Sequence, residues 1–279
     1  MENPSARSTG KPMSEAVIYS LIVGATVGLA AGYIGSIMVL EKMALVGDAL
    51  SHVALPGLAL GVLYHFNPLV GGFLFLFVSA VLIWHLGRVT KLSFETLVGA
   101  AFTLALAIGI LLFGKDLDAL ETALFGDIAQ VGLLSAITAV VISVAVILLT
   151  RLIYKRIVLG LISEELAVSK GINVGRINLL YLLLVSLTVA IGIQITGTLL
   201  VGFLVVTPAA AAKIISSNLS RYLTLSAIFG AISAISGILM SSYLSSYFNI
   251  PPRPGPLVVI SGVAIFAVVI VVRWRRRSV

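Results

Sequence analysis

Asp48 and His52 are the two residues whose types and spacing most directly suggest chemistry. They lie four residues apart in the run Gly47-Asp48-Ala49-Leu50-Ser51-His52, inside an otherwise apolar segment. On an α-helix this spacing places both side chains on one face, so a carboxylate oxygen and an imidazole nitrogen point toward the same place. Such a pair suits a divalent ion of manganese, zinc or iron, and the sequence has no cysteine to supply the thiolates that Cu(I) prefers.

A structural role for the same two residues remains an alternative. Asp48 could cap the start of a helix, and His52 could hydrogen-bond to a neighbouring helix. Two observations favour an ion pathway. A carboxylate in the middle of a bilayer costs about 2.5–3.5 kcal/mol to insert, and Pro56-Gly57 predicts a broken helix, which is tolerated where backbone lines a cavity. Because two ligands do not fill a shell of roughly four to six, a two-fold dimer would be needed to bring two pairs together.

The composition predicts that this pair lies in a membrane protein. Of the 279 residues, 59% are hydrophobic and 10% are charged, and the mean hydropathy is +1.16. A soluble domain is about 25% charged. Since a membrane-spanning helix needs roughly 20 apolar residues, we expect an all-α, polytopic transmembrane helical bundle of eight or nine spans. The predicted spans are 17–40, 44–64, 69–87, 93–113, 131–150, 177–193, 198–212, 222–247 and 256–272.

These spans predict one transmembrane domain over residues 17–273, between a disordered polar tail at 1–16 and a basic tail at 274–279. The first 16 residues lack the apolar core and cleavage site of a signal peptide. The net charge of +7 does not indicate nucleic-acid binding, because the basic residues lie at the ends of apolar segments. Basic loops are retained in the cytoplasm, which predicts an outer N-terminus and a cytoplasmic C-terminus.

The longest hydrophilic connection, residues 151–176, predicts a short cytoplasmic helix. Ser163 is the expected N-cap, Glu164 and Glu165 face the positive helix end, Lys170 lies in the last turn and Gly171 ends the helix. An exposed helix at this place would be a docking element. A solvated turn that only joins two spans is the alternative.

We expect the remaining polar residues of the apolar segments and loops to have structural roles. His65 and His85 are expected at the two membrane interfaces, and Glu95 is expected to interact with a helix N-terminus. The stretch 119–130 predicts a short external or re-entrant helix, which Asp127 could end. No G-x-x-x-x-G-K-[ST] phosphate loop occurs, so the chain is not expected to be an enzyme that hydrolyses ATP by that route.

A resemblance to a known family rests on the same motifs. The run 43–61, which contains Asp48 and His52, closely resembles the signature of permease subunits of bacterial and archaeal zinc, manganese and iron ABC importers. The similar segments cover nearly the whole chain in order. Besides 43–61 they are 95–99, 124–127, 165–171, 196–212 with its Thr207-Pro208-Ala209-Ala210, and Pro254-Gly255-Pro256.

The resemblance implies a permease that moves Zn, Mn or Fe ions into the cytoplasm across the plasma membrane of a bacterium or archaeon, with no tightly bound cofactor. It implies three partners: a second permease copy or paralogue, a cytoplasmic ABC ATPase dimer, and an extracytoplasmic metal-binding protein. It places Asp48 and His52 on the translocation pathway. It assigns the coupling helix to Ser163, Glu164, Glu165, Leu166, Ala167, Val168, Ser169, Lys170 and Gly171.

Three other functions are compatible with a membrane protein of this composition. A related permease for a metal chelate, such as a siderophore or corrinoid, would not need a paired Asp and His. A gradient-driven carrier is disfavoured because no long inverted hydropathy repeat occurs. A non-transporting scaffold would have no use for Asp48 within a span.

Overall fold

A computed structural model describes residues 13–90, 92–114, 116–126, 131–198, 201–248 and 253–275. Within these residues the chain forms helices joined by short connections, and no strand occurs. The helices are α1 (Met13–Leu40), α2 (Ala44–Val53), α3 (Leu55–Leu63), α4 (Pro68–Thr90), α5 (Phe94–Phe113), α6 (Leu117–Phe125), α7 (Leu133–Ile162), α8 (Glu164–Ser169), α9 (Val174–Thr196), α10 (Val201–Ile215), α11 (Leu219–Phe248) and α12 (Pro254–Arg275).

Eight segments of the described residues are long and apolar enough to cross a membrane. Helices α2 and α3 together make one of them, Val46–Leu63. The prediction of a polytopic all-α bundle is therefore confirmed. Helix α10 is apolar but has only 15 residues.

The packing of α9 and α11 against α1 shows that α10 also crosses the bundle. We call the side where α1 begins the first face and the side where it ends the second face. Gly24 and Gly32 of α1 lie against Ile238 and Ser226 of α11, so these two helices are antiparallel and α11 begins at the second face. Helix α9 also runs antiparallel to α1, since Tyr181 hydroxyl donates to the Ile34 carbonyl and Gly192 lies near Val27. Helix α10 must then return the chain to the second face, which makes nine crossings.

Several helices extend beyond the spans expected from hydropathy. Helix α1 begins at Met13, within the stretch predicted as a tail, and α12 continues to Arg275. Helix α7 continues to Ile162, so the first part of the predicted hydrophilic connection is helical. In α7 and α12, long basic side chains permit such extensions because their apolar stems cover the helix while their charges reach water. The division into two tails and one transmembrane domain otherwise stays a prediction. Asp127, which was predicted to end a short helix, lies outside the described residues.

Small residues bring α1 and α11 into backbone contact at the centre of the bundle. Gly28 of α1 faces Gly230 of α11, and the hydroxyl of Ser226 donates to the carbonyl of Gly32. Neighbouring α1 side chains such as Val27 and Ile34 are fully buried. In lipid, helices associate through this kind of close packing rather than through the hydrophobic effect.

We predict that Gly28→Val destabilises the bundle. A Cβ atom at position 28 would lie 2.5 Å from the Gly230 carbonyl oxygen and 2.9 Å from the Ala231 Cα, and neither backbone atom can move aside cheaply. Overpacking of this kind costs about 1–3 kcal/mol or more. Gly99→Val is the matched control, because nothing lies within 4 Å of a Cβ at that position. Thermal unfolding in detergent should show a lower Tm for Gly28→Val alone, and equal Tm values for the two variants would contradict the packing.

The turn between α1 and α2 holds a carboxyl group in apolar surroundings. Glu41 directly follows α1 and lies outside the membrane-spanning segments. Lys42 has a φ of 60°, and the Met43 N–H donates to the Met38 carbonyl at 2.9 Å, which closes the turn. Burial raises the pKa of Glu41 from its ordinary 4.5 to about 7. The turn that leads into α2 is therefore pH-sensitive.

We predict that Glu41→Gln stabilises the protein at high pH. Because the pKa is raised in the folded state, folding favours the protonated carboxyl, and the free energy of unfolding falls as pH rises from about 4.5 to about 7. The glutamine variant avoids this loss, which is on the order of 3 kcal/mol at pH 8 and much smaller at pH 5. The measurement is Tm at both pH values, with Glu95→Gln, an exposed carboxylate, as control. A Tm change that is the same at pH 5 and pH 8 would refute the assignment.

Candidate metal-ion site

Helix α2 carries both residues that the sequence analysis singled out. Asp48 and His52 lie one turn apart within Ala44–Val53, as the spacing predicted. The helix is interrupted at Ala54, and α3 begins at Leu55 with Pro56 in its first turn. Proline has no N–H, so the regular bond from residue 56 to the His52 carbonyl cannot form. The predicted break in this span is confirmed. It lies at Ala54, two residues after His52.

The His52 imidazole is buried without a hydrogen-bond partner for one nitrogen. The residue is 8% exposed, and its Nδ1 has no partner among the described residues. The ring meets Phe102 of α5 edge to face, with 5.2 Å between the ring centroids. A buried polar atom left unpaired costs about 1–3 kcal/mol. An imidazole nitrogen in this state is available to a ligand that reaches it.

The Asp48 carboxylate is exposed on the surface of the single chain, although it lies inside the span Val46–Leu63. Its backbone is held from the other side by Gly202 of α10. A Cβ at position 202 would lie 2.7 Å from the Asp48 Cβ and 2.8 Å from its nitrogen. Because residue 202 is a glycine, α10 approaches this turn of α2 closely. Asp48 remains exposed.

Ser51 connects this turn of α2 to two other elements. Its hydroxyl oxygen lies 2.5 Å from the Thr198 carbonyl oxygen and 2.6 Å from the Asp48 carbonyl oxygen, so either can accept its proton. The Thr198 N–H in turn donates to the Ala123 carbonyl of α6 at 2.9 Å. The contact between Ser51 and Thr198 was not predicted. These residues are 147 positions apart, so no sequence motif contains both of them.

The remaining polar candidates do not join the site. His65 lies in the turn after α3 with a φ of 54°, and His85 is exposed on α4. Glu95 lies in the first turn of α5, the position predicted for it. No group of three or more His, Cys, Asp or Glu residues that could hold a metal ion occurs in the described part of the chain. The ligand roles of Asp48 and His52 stay a prediction.

Helix α8 is the short helix predicted at the second face. The Ser163 side chain accepts from the Leu166 N–H at 3.1 Å, as an N-cap does, and Glu164 and Glu165 occupy the first turn. The helix ends at Ser169, with Lys170 as C-cap and Gly171 at a φ of 74°. Ala167 is fully buried and anchors the helix, whereas Leu166 is 45% and Val168 60% exposed. Two apolar side chains thus face away from the bundle.

Comparisons with known proteins identify the family of this chain. Residues 13–273 match the family described as the ABC 3 transport family. The chain is 33% identical to the manganese transport system membrane protein MntC of Listeria monocytogenes, over 83% of this chain and 82% of that protein. It is 28% identical to the high-affinity zinc uptake system membrane protein ZnuB of Haemophilus influenzae, over 94% of this chain and 100% of the relative.

A solved structure shows the same architecture. PsaBC from Streptococcus pneumoniae, determined in complex with Fab, has a TM-score of 0.77 and 28% sequence identity, with 90% of each chain covered. The family match extends from the start of α1 to residue 273 in α12 and includes α2 and α8. The chain therefore belongs to the ABC 3 transport family.

Proposed function

We propose that this chain is the membrane-spanning permease subunit of an ATP-binding-cassette importer that moves a divalent transition-metal ion into the cytoplasm. The observation that carries the proposal is the pairing of the exposed Asp48 carboxylate with the unpartnered His52 nitrogen, one turn apart inside a membrane span. Relatives named for manganese and zinc transport support Mn(II) and Zn(II) as substrates, and Fe(II) is a third ion to test.

The first face is the outer side in this proposal. The second face carries α8, the basic end of α7 with Arg151, Lys155 and Arg156, and the end of α12 with Arg273 and Arg275. Excess Lys and Arg in short connections is retained in the cytoplasm. The C-terminus and α8 are therefore cytoplasmic, and the α3–α4 turn and α6 are external.

A second copy of the permease completes the metal site. Asp48 lies near the start of the span Val46–Leu63, and a carboxylate that faces lipid costs up to about 2.5–3.5 kcal/mol, the value at the bilayer centre. Two copies related by a two-fold axis that passes Asp48 would cover both carboxylates and supply two carboxylates and two imidazoles. This donor set binds divalent Mn, Fe and Zn, and it differs from the thiolate set that selects Cu(I). A site on a pathway must also release its ion.

ATP hydrolysis takes place in a separate cytoplasmic subunit in this proposal. The exposed Leu166 and Val168 of α8 form an apolar contact for that subunit, while the buried Ala167 fixes α8 to the permease. An extracytoplasmic binding protein delivers the ion at the first face. Asp48 and His52 hold the ion between delivery and release.

We predict that Asp48→Asn and His52→Ala each reduce metal uptake at least tenfold. Each change removes one ligand from every copy, and the asparagine keeps the size of the side chain. The measurement is ATP-dependent uptake of radiolabelled Mn(II), Zn(II) and Fe(II) into proteoliposomes that hold the permease with its ATPase and binding protein. His85→Ala is the control, because this histidine is exposed near the second face.

The same uptake experiment can refute the proposal in two ways. Unchanged uptake by both variants would move the pathway away from α2. If no free ion entered but a metal chelate did, and free ion did not compete with it, the chain would belong to a chelate importer.

We predict that Leu166→Ser with Val168→Ser weakens binding of the ATPase subunit at least tenfold. Each apolar side chain contributes about 1.5–3 kcal/mol when it is fully buried by a partner, and a tenfold change is about 1.4 kcal/mol. Thr224→Ala on α11 is the control, since this exposed hydroxyl bonds to the Ser220 carbonyl of its own helix and lies outside α8. Affinity is measured between purified subunits in detergent. Wild-type affinity in the double variant would show that α8 does not dock the ATPase.

A further inference from the structure

The second-face end of α4 carries an arginine that is held over an indole ring. Arg88 lies in the last turn of α4, four residues after Trp84. Its guanidinium carbon is 5.0 Å from the centre of the Trp84 ring. A cation over the face of an indole is attracted by the ring. The contact therefore restricts where this long side chain places its charge.

Trp84 also fixes the position of this pair relative to α9. The indole N–H donates to the carbonyl of Gly175, the second residue of α9, at 2.7 Å. A Cβ atom at Gly175 would lie 3.9 Å from the guanidinium carbon of Arg88. Arg88 is therefore placed where α4 and α9 meet. We call Trp84, Arg88, Gly175 and Arg176 the α4–α9 seam.

The Arg88 guanidinium has no acceptor among the described residues. No carboxylate lies within ion-pair distance of it, and no described group accepts a hydrogen bond from it. The residue is exposed. A guanidinium has five N–H donors in a fixed plane, and two of them match two oxygens of a phosphate group. An arginine that is held in place without a partner suits a phosphate from outside the chain.

The surroundings of Arg88 favour a lipid phosphate over a free one. Leu82, Leu86 and Val89 of α4 are exposed. Their spacing of four and three residues places them on one face of the helix, adjacent to the face that carries Trp84 and Arg88. A phospholipid can cover this apolar face with an acyl chain while its phosphate reaches Arg88. A free phosphate ion would leave the apolar face uncovered.

The charge of the seam favours a lipid with a net negative headgroup. Arg176 follows Gly175 directly and is exposed, and within the described residues it forms no ion pair. Basic side chains between helices on the cytoplasmic side attract anionic headgroups. A zwitterionic headgroup would bring its own positive group close to two arginines.

We propose that the α4–α9 seam binds an anionic phospholipid, with the lipid phosphate on the Arg88 guanidinium and an acyl chain along Leu82, Leu86 and Val89. The orientation proposed above assigns this lipid to the cytoplasmic leaflet, and the site does not otherwise depend on the transported ion. The bound lipid holds α4 against the start of α9, four residues after Gly171. It therefore stabilises the part of the bundle from which α8 projects.

A lipid titration of the full-length permease tests the proposal. The protein is purified in detergent, stripped of lipid, and titrated with phosphatidylglycerol or phosphatidylcholine while Tm is recorded. We expect phosphatidylglycerol to raise Tm at lower concentrations than phosphatidylcholine does. Arg88→Gln should weaken the apparent affinity for phosphatidylglycerol about fivefold, the effect of removing one basic residue near an anionic headgroup. Arg88→Lys should lose less, because lysine keeps the charge but not the planar pair of donors.

A matched variant separates the seam from general surface charge. Arg221→Gln removes an exposed basic residue from the second-face end of α11 and should leave the affinity for phosphatidylglycerol unchanged. Equal losses in Arg88→Gln and Arg221→Gln would overturn the proposal. It would also be overturned if phosphatidylcholine bound as tightly as phosphatidylglycerol, or if inorganic phosphate alone raised Tm to the same extent.

The ATPase subunit is the other possible partner of an arginine at the second face. The affinity between purified subunits in lipid-free detergent should be the same for Arg88→Gln and the wild type. A weaker affinity there, with unchanged binding of phosphatidylglycerol, would assign Arg88 to the ATPase and overturn the lipid site. The titration does not require ion uptake. If no metal were transported but the lipid bound as expected, the proposed function would fall and the lipid site would stand.

Discussion

A bilayer cannot solvate a carboxylate, and the arrangement of this chain around Asp48 follows from that constraint. The carboxylate lies on α2 within a membrane span, yet the folded chain leaves it exposed. The rest of α2 is deeply packed, with Leu50, Ser51 and Val53 at 0% exposed. The fold therefore buries most of this turn and leaves the carboxylate residue exposed. The second copy proposed above would cover Asp48.

Close helix packing makes this arrangement possible. Gly202 lets α10 lie against the Asp48 backbone, and Gly57 of α3 lies against Gly71 of α4 directly beyond the break at Ala54. Backbone contacts of this kind fix the helices without polar side chains, which would be costly in lipid. The Ser51 hydroxyl bonds to backbone carbonyls, whereas the His52 Nδ1 has no hydrogen-bond partner among the described residues. The backbone of this turn of α2 is packed closely against α10.

Hydropathy and local motifs were sufficient to predict the spans, the placement of Asp48 and His52 on one helix, the break near Pro56 and the capped helix α8. All of these depend on residues within a few positions of each other, so their physics is local. The contacts of Ser51 with Thr198, of Arg253 with Glu121 and of Gly202 with Asp48 join residues that are far apart in the sequence. Tertiary packing decides which helix each serine or glycine contacts. The local sequence pattern does not predict these long-range contacts. The end of α7 differed because the long basic side chains of Arg151, Lys155 and Arg156 extend a helix beyond its apolar core.

Helix α9 gives the structure a direct route between its two ends. It begins three residues after Gly171, next to α8, and its 23 residues span about 35 Å. It ends at Thr196, two residues before Thr198, which contacts both Ser51 and α6. Near the second face, the Trp84 indole N–H donates to the Gly175 carbonyl at 2.7 Å, so α4 is tied to the same helix. A rigid helix that tilts at its α8 end must displace Thr198 at the other end. Because Thr198 is bonded both to α6 and to the α2 turn, one displacement of Thr198 acts on both elements together.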